Sequence, residues 1–366
     1  MRYYRFYKAA VRLLPCFRKS KGAITRVLNR HRVKCGAVCL FDETGVTGFA
    51  SVGYTGDRQP VKMDTCFRTA SVAKMVSAML AWHLAQQGKL FLDRDAGDML
   101  GVPLRNPAFP DQVITPRMLL CHTSSLWDAP AFWQGAAQGK TLDEVLKADV
   151  FLSRQPGTQF QYSNFGAGIL GAVLEAVSGK GLDELLRENF PGMSENGASF
   201  FPQNLSSEAV LASCDQLLPP KRTYDAKQLR SRAKEADTAA PLRHYAVSHG
   251  NLCISAEDLA LIGRDAMLGY EELRKAHIPF GARDPHITEG LGMFIIRDAE
   301  LSDAVIYGHQ GLAYGAVNGV FFDPVQKKGF VLLTGGASLA RRYVLADLNR
   351  DLIRLLLGGK TKGNRV

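Results

Sequence analysis

Apolar positions recur at helical spacing from residue 22 to about residue 34, and two alternating runs follow, CGAVCLF and VTGFASVGY, separated by turn residues at 42–45. This predicts a helix and then a β-hairpin. From residue 71 to about 178 the period is helical: Met75, Val76, Met79, Leu80 and Leu84 mark one face, and Gly88 supplies a stop just past Gln87. Two further helix starts are chemically explicit. Thr115-Pro116 puts a capping hydroxyl before a proline at the first helical position, and Ser255-x-x-Asp258 resembles a capping box with Asp in the Glu slot. Residues 204–243 are polar and rich in Lys, Arg and Ala, and read as an irregular or helical insertion rather than core. Strand character returns beyond Glu289 in LGMFIIR, AVIYG, GAVNGVFF and GFVLLTG, with DPVQKK as a hairpin turn, and a last amphipathic helix is expected over about 338–357, ending at Gly358-Gly359.

The predicted fold class is α/β of the α+β type: an antiparallel sheet of about five or more strands, assembled from both ends of the chain and flanked by N- and C-terminal helices, with a large, mostly helical region inserted. In domain terms, 1–21 is a basic segment, 22–56 and 289–366 supply the sheet-containing part, and 57–288 form the inserted helical part, giving one catalytic domain over 22–357. A pocket is expected where sheet and helical region meet.

Charge changes this picture only at the N-terminus. The formal net charge is +10, but residues 1–34 hold eleven Lys or Arg and no acid, so the remaining 332 residues carry 34 basic against 35 acidic side chains. A near-neutral body argues against nucleic acid as a partner, which would need the excess on a folded face. The leader, with Tyr3, Phe6, Val11, Leu13, Leu14 and Phe17 among its cations, suits a short amphipathic helix on an anionic membrane surface or a frayed basic tail. Arg12 and Pro15 interrupt the apolar run that a secretory signal requires. No window reaches the roughly 18 uninterrupted apolar residues of a membrane span. Seven cysteines, an odd number mostly set in apolar runs and without a C-x-x-C pair, favour buried thiols in a reducing compartment over disulfides or a metal site. The expected location is cytoplasmic, at or near the inner membrane surface, with export as the alternative.

Three short constellations carry candidate chemistry. Ser71-Val72-Ala73-Lys74 opens the first strong helix, where residues three apart share a face, so the Lys74 amine can reach the Ser71 hydroxyl. Burial beside Met75, Val76 and Met79, at the positive end of a helix dipole, would lower the lysine pKa toward that of a base, and the Ser71 N–H would stabilise an oxyanion. The competing interpretation is a capping serine with a solvated lysine. Ser231-Arg232-Ala233-Lys234 has the same spacing but lies in a charged stretch with no apolar face. Tyr162-Ser163-Asn164 follows the Pro156-Gly157 turn and precedes a helix; Asn164 serves equally as a cap or as a ligand of a substrate carbonyl or amide, and a tyrosine near a lysine can relay protons. Gly308-His309-Gln310-Gly311 ends a predicted strand, where a glycine lets substrate approach the strand edge and the Leu312 N–H completes an oxyanion pair, while His309 is either structural or functional.

S-x-x-K, Y-x-N and H-x-G in this order resemble the signature of the serine β-lactamase and penicillin-binding-protein superfamily, nearest its class C-like branch of esterases, D-aminopeptidases and D,D-peptidases. TPRMLLCHTSSL is similar to the family's helix leading to H-T-S-G-L, with Ser125 at the usual glycine, and HGNLCISAEDLA to its G-G-L-x-S-x-x-D-L segment, with Asn251 in the G-G-L position. The resemblance covers about residues 22–356. It implies acylation of Ser71, general base and acid duty shared by Lys74 and Tyr162, substrate contacts from Asn164, His309, Gly311 and Leu312, and no metal or organic cofactor. His309 would stand where relatives carry the lysine of K-T-G, and a mostly neutral histidine binds anions less well, which favours a small-molecule or peptide-like ester or amide over a β-lactam. The alternatives are a cell-wall D,D-peptidase and a non-catalytic binding protein that kept the pocket. His122 is expected to be a buried histidine bonded to the backbone rather than a base.

Overall fold

The computed structural model of the chain describes residues 15–54, 60–194, 197–205, 211–214, 223–224, 242, 244–313 and 315–358. The alternating run folds as a hairpin of β1 (Cys35–Asp42) and β2 (Gly45–Val52), and Asp42 Oδ1 accepts from Thr44 N at 2.7 Å to close the turn. The next partner of β1 comes from the other end of the chain. β13 (Lys328–Gly335) runs antiparallel along the whole of β1, and β12 (Ala316–Asp323) and β11 (Ile306–Ala313) continue the sheet. β10 (Phe294–Ile296), β9 (Ile287–Glu289) and β8 (Ile278–Pro279) complete eight antiparallel strands in the order β2-β1-β13-β12-β11-β10-β9-β8.

Both faces of the sheet are covered, which is why β12 is buried at every position and reads as a nearly continuous apolar run rather than an alternating one. One face packs on the terminal helices Pro15–Arg30 and Asp347–Leu356, through Ile24 and Leu28 from the first and Leu352 and Ile353 from the second. The other carries the helices Ala256–Leu268 and Val72–Gln86, whose Leu259, Ile262, Val76 and Met79 join the larger core. Four of the described cysteines, Cys39, Cys66, Cys121 and Cys253, are buried free thiols, and desolvation raises the pKa of each.

Several boundaries differ from the sequence pattern, each for a local reason. The first helix starts earlier, at Pro15, and stops at Arg30 rather than near residue 34, because Arg32 turns into the left-handed region (φ 54°) and Lys34 N donates to Gly336 O to enter the sheet. The last helix begins at Asp347, not near residue 338. The Gln310 side chain binds Val344 O and Ala346 N and so holds that stretch out of helix. Within the polar insertion, residues 211–214 and 223–224 form strand instead of helix or irregular chain. β5 (Leu211–Cys214) runs parallel to β3 (Cys66–Arg68), and β6 (Thr223–Tyr224) pairs with β5. With β4 (Ala198–Ser199) and β7 (Cys253–Ser255) they make a second sheet, β4-β7-β3-β5-β6, whose strands of two to four residues are too short to show a period in sequence.

The Ser255 cap forms, accepting from Asp258 N at 3.0 Å, but the reciprocal half of the box does not: Asp258 instead accepts from Ser194 N and Oγ. Thr115 caps Met118 N ahead of Pro116 as expected. The leader through residue 14 and Ser231–Lys234 lie outside the described residues, and no single described helix is long and apolar enough to cross a membrane.

Candidate active site

β3 of the small sheet delivers the chain to Thr69, Ala70 and Ser71. Ala70 takes a left-handed conformation (φ 51°), a strained one for a residue with a Cβ, immediately before the helix that Ser71 opens. Ser71 itself is already helical (φ −65°, ψ −7°) and its side chain makes no capping bond, so the hydroxyl is not spent on the helix end. The cap interpretation therefore fails. The solvated-lysine interpretation fails too, since Lys74 is only 4 % exposed.

Lys74 Nζ lies 3.2 Å from Ser71 Oγ, 2.7 Å from Asn164 Oδ1 and 2.8 Å from the His249 carbonyl oxygen. Burial lowers its pKa to about 7, against the opposing pull of Asp128 and Glu289, so a large fraction is neutral near neutral pH. The arrangement suits that neutral form. Two of the three neighbours are pure acceptors, which take the two N–H bonds of an amine and leave its lone pair facing the serine O–H.

The acceptors are themselves fixed. Asp128 Oδ2 accepts from Asn164 Nδ2 at 2.7 Å, which orients the amide so that its oxygen faces Lys74. Asp128 Oδ1 accepts from the backbone N–H of Asn164 (2.7 Å) and Phe165 (3.0 Å), capping the helix Asn164–Ser178 together with Ser163. The His249 carbonyl is held by its neighbours, where Arg68 donates to Gly250 O at 3.0 Å and to Asn251 Oδ1 at 2.7 Å.

Tyr162 stands beside Ser71, whose hydroxyl pulls the phenol pKa down, and its ring centroid is 4.9 Å from Lys74 Nζ. Desolvation raises its pKa, so the phenol keeps its proton and can give it up only to a stronger base formed during reaction. His122 shapes this loop. Its carbonyl accepts from Gln161 N at 2.8 Å and its Nδ1 from Ser163 N at 3.3 Å, while burial holds the imidazole neutral. As expected, His122 is a backbone-bonded histidine. Ser125 occupies a left-handed position (φ 64°) of the kind that favours glycine, and its hydroxyl accepts from Asn106.

Ser71, Tyr162 and Asn164 line one cleft of about 500 Å³, bordered by Leu312 and Phe280. Against known proteins, residues 21–354 match the family model described as Beta-lactamase. The chain belongs to the Beta-lactamase family. It is 31% identical over 177 residues to Esterase EstB of Burkholderia gladioli, covering 42% of this chain and 43% of that protein. It is also 31% identical over 165 residues to Penicillin-binding protein 4 of Amycolatopsis lactamdurans, 43% of this chain and 42% of that one. The chain spans about two fifths of the length of the curated relatives it matches. EstCE1, described as a hydrolase with promiscuous acyltransferase activity, superposes with a TM-score of 0.72 at 23% identity over 92% of this chain and 98% of its own. The D-amino acid amidase of Ochrobactrum anthropi SV3 does so at 0.69 and 19%, over 91% and 96%. At these identities the two structures establish the shared fold.

The H-x-G element of this Beta-lactamase family chain is placed differently from the sequence expectation. It lies inside β11, not at a strand end, and His309 is fully buried, with its ring 4.2 Å from that of Phe294 and Nδ1 2.6 Å from Gln310 O. Desolvation lowers its pKa to about 3, so it is neutral and structural, and it does not line the cleft as a substrate contact. Gly311 also answers to the fold. A Cβ there would sit 2.1 Å from Thr69 O and 3.0 Å from Ser71 N, so the bare backbone makes room for the serine turn rather than for substrate. Leu312 does border the cleft.

Sequence reasoning missed three contributors. Asp128 sits between predicted helices with nothing to mark it, and the His249 carbonyl is a backbone atom that no residue pattern announces. Glu289 is fully buried, with neither carboxyl oxygen bonded to a described residue, and desolvation raises its pKa well above the usual carboxylate value against the pull of Lys74.

Proposed function

We propose that this protein is a serine hydrolase that forms an acyl-enzyme on Ser71 and hydrolyses an ester or amide. The observation that carries this is the buried amine of Lys74, 3.2 Å from the Ser71 hydroxyl and with a pKa lowered to about 7. In acylation, Ser71 Oγ attacks the substrate carbonyl carbon as its proton passes to Lys74 Nζ, and the carbonyl oxygen takes up negative charge facing the N–H groups of Ser71 and Leu312. Tyr162, protonated and beside Ser71, passes a proton to the departing alkoxide or amine and recovers one from the Lys74 ammonium. Water then repeats the sequence on the acyl-enzyme, with the amine again as base. Asn164 holds the amine in register and offers its remaining amide N–H to the substrate. A neutral His309 without access to the cleft removes the cation that would attract a β-lactam carboxylate at that position, which favours simpler esters and amides.

The test is covalent. A fluorophosphonate probe should add one phosphonyl group to the peptide containing Ser71, seen by mass spectrometry, and should leave Ser71→Ala unmodified; equal labelling of that variant would refute the assignment. Tyr162→Phe keeps the ring packing against His122, 4.5 Å between centroids, but loses the acid. Its kcat on an amide should fall by roughly 10²- to 10³-fold, and less on a p-nitrophenyl ester, whose leaving group needs no proton. A uniform loss on both substrates would mean that the phenol acts only by packing.

A further inference from the structure

We infer that Glu289 is a positioning residue of this site: its buried carboxylate supplies the countercharge for the ammonium that forms when Lys74 takes the Ser71 proton, and this rests on the hydrolase assignment of Ser71. Glu289 closes β9, opposite Phe294 of β10, which lines the Ser71 cleft. The turn that follows it is seated on the Val72–Gln86 helix. Gly292 N donates to Leu120 O at 3.1 Å, and a Cβ at Gly292 would come within 2.6 Å of Ala78 Cβ and 3.3 Å of the Lys74 carbonyl oxygen. Gly292, His122 and Lys74 also line one small cavity of about 10 Å³. Glu289 is fully buried, and neither of its carboxyl oxygens has a hydrogen-bond partner among the described residues. A carboxyl buried without partners destabilises a fold, so packing gives no reason for it.

Among the described residues two acids act on the Lys74 amine, and they differ. Asp128 accepts four hydrogen bonds, from Ser163 Oγ, Asn164 N, Asn164 Nδ2 and Phe165 N, so its charge is already balanced. Glu289 has no such donors, and its charge is felt by Lys74, Tyr162 and Cys121. The other titratable groups around the amine are His122, His249 and His309. Desolvation lowers the pKa of each, so they bring no charge near neutral pH. Burial alone drives Lys74 and Glu289 toward their neutral forms, yet a dry interior holds an ammonium beside a carboxylate far more readily than either ion alone, so the two titrate as a pair. Loss of the proton they share leaves an amine beside a carboxylate, which is the reactive form. As Ser71 Oγ bonds to the substrate carbonyl carbon, its proton moves to Lys74 Nζ, and the positive charge appears where a negative one already stands. When the ammonium returns that proton through Tyr162 to the leaving group, the pair is reset.

The experiment uses the full chain and follows, between about pH 5 and 9, the rate of fluorophosphonate labelling of Ser71 together with kcat and KM for p-nitrophenyl butyrate. In Glu289→Gln the pull of the carboxylate on the ammonium is gone, so the Lys74 pKa falls. The acid limb of both profiles should then move to lower pH by about one unit, while the plateau drops by roughly tenfold through kcat with KM nearly unchanged, because the amine is a weaker base. Glu289→Met, similar in length and apolar, should reproduce those kinetics with a melting temperature equal to or above that of the wild type, the opposite of what loss of a residue serving the fold would give. Glu289→Asp should restore part of the shift. An acid limb that stays in place in Glu289→Gln overturns the inference. Direct titration needs no turnover: with carbon-13 at lysine Cε, the Lys74 NMR signal, assigned by its loss in Lys74→Ala, should titrate about one unit lower in Glu289→Gln than in wild type, and an equal midpoint overturns the inference. The two assignments fail separately. Labelling and ester hydrolysis that persist in Ser71→Ala defeat the hydrolase assignment, whereas a Ser71-dependent reaction with an unmoved acid limb defeats only the role of Glu289.

Discussion

Lys74→Ala is expected to lower kcat/KM by roughly ten-thousandfold while leaving the protein folded, because the substitution removes the only base within reach of the Ser71 hydroxyl among the described residues. His122 and His309 offer no replacement, since both are buried and bonded to the backbone, and desolvation holds the imidazole of His249 well below its ordinary pKa. Lys74→Arg should be nearly as damaging: a guanidinium stays charged at any accessible pH and has no lone pair to accept the serine proton. The same amine sets the pH profile of the wild type. Its pKa of about 7 lies below the ordinary lysine value of 10.5 because the ammonium is desolvated, and catalysis requires the unprotonated form. Activity should therefore be low in acid, rise as pH passes through about 7, and level off above it, with about a tenfold loss per unit on the acid side. The checks are pH-rate profiles for the wild type and far-UV circular dichroism with a thermal melt for both variants. A profile flat between pH 5 and 9, or a Lys74→Ala variant within tenfold of wild type, would remove the lysine from the mechanism.

Gly311→Ala should cost activity by roughly a hundredfold with a melting temperature lowered by only a few degrees, an effect of position rather than of lost chemistry. The added Cβ would meet two backbone atoms, Thr69 O at 2.1 Å and Ser71 N at 3.0 Å, so no side-chain rotamer can relieve it. Either β11 or the Thr69–Ser71 turn must retreat by about 1 Å, and a displacement of that size at a reacting atom is expensive. The turn is the softer of the two. Ala70 is already strained at φ 51°, whereas β11 is paired along its length with β12, Gly311 opposite Asn318. The displaced atoms include the Ser71 N–H and Oγ, so fluorophosphonate labelling should slow in parallel with turnover. If Gly311→Ala turns over within threefold of wild type, the glycine serves some purpose other than seating the serine.

The legible parts of this chain were those where chemistry is local. The first hairpin was readable because alternation and turn residues sit within some twenty positions, and the Ser71 helix because its apolar face repeats over four turns. The active-site serine, lysine, tyrosine and asparagine could be named because three spaced motifs in order constrain each other more than any one does. Boundaries set by distant partners were not readable: Gln310 decides where the last helix begins, and Gly336 where the first helix ends. Strands of two or three residues, such as β3 and β7, carry no period and declare themselves only by pairing.

The roles of His309 and Gly311 illustrate the remaining gap. Their residue types suggest substrate contacts, but their surroundings follow from the tertiary fold: both are paired with β12, the imidazole is set against Phe294 and the glycine against Thr69. The sequence by itself determined the family signature, the antiparallel sheet closed by strands from both ends, and the identity of the groups able to react, because these depend on residue type and short-range spacing. The tertiary structure alone decided that the lysine is dry enough to be a base, that Asp128 and the His249 carbonyl aim it, and that the carboxyl of Glu289 is buried and acts on it. Desolvation and hydrogen-bond direction are properties of what surrounds an atom, and those surroundings come from segments scattered along the chain, from residue 68 to residue 344.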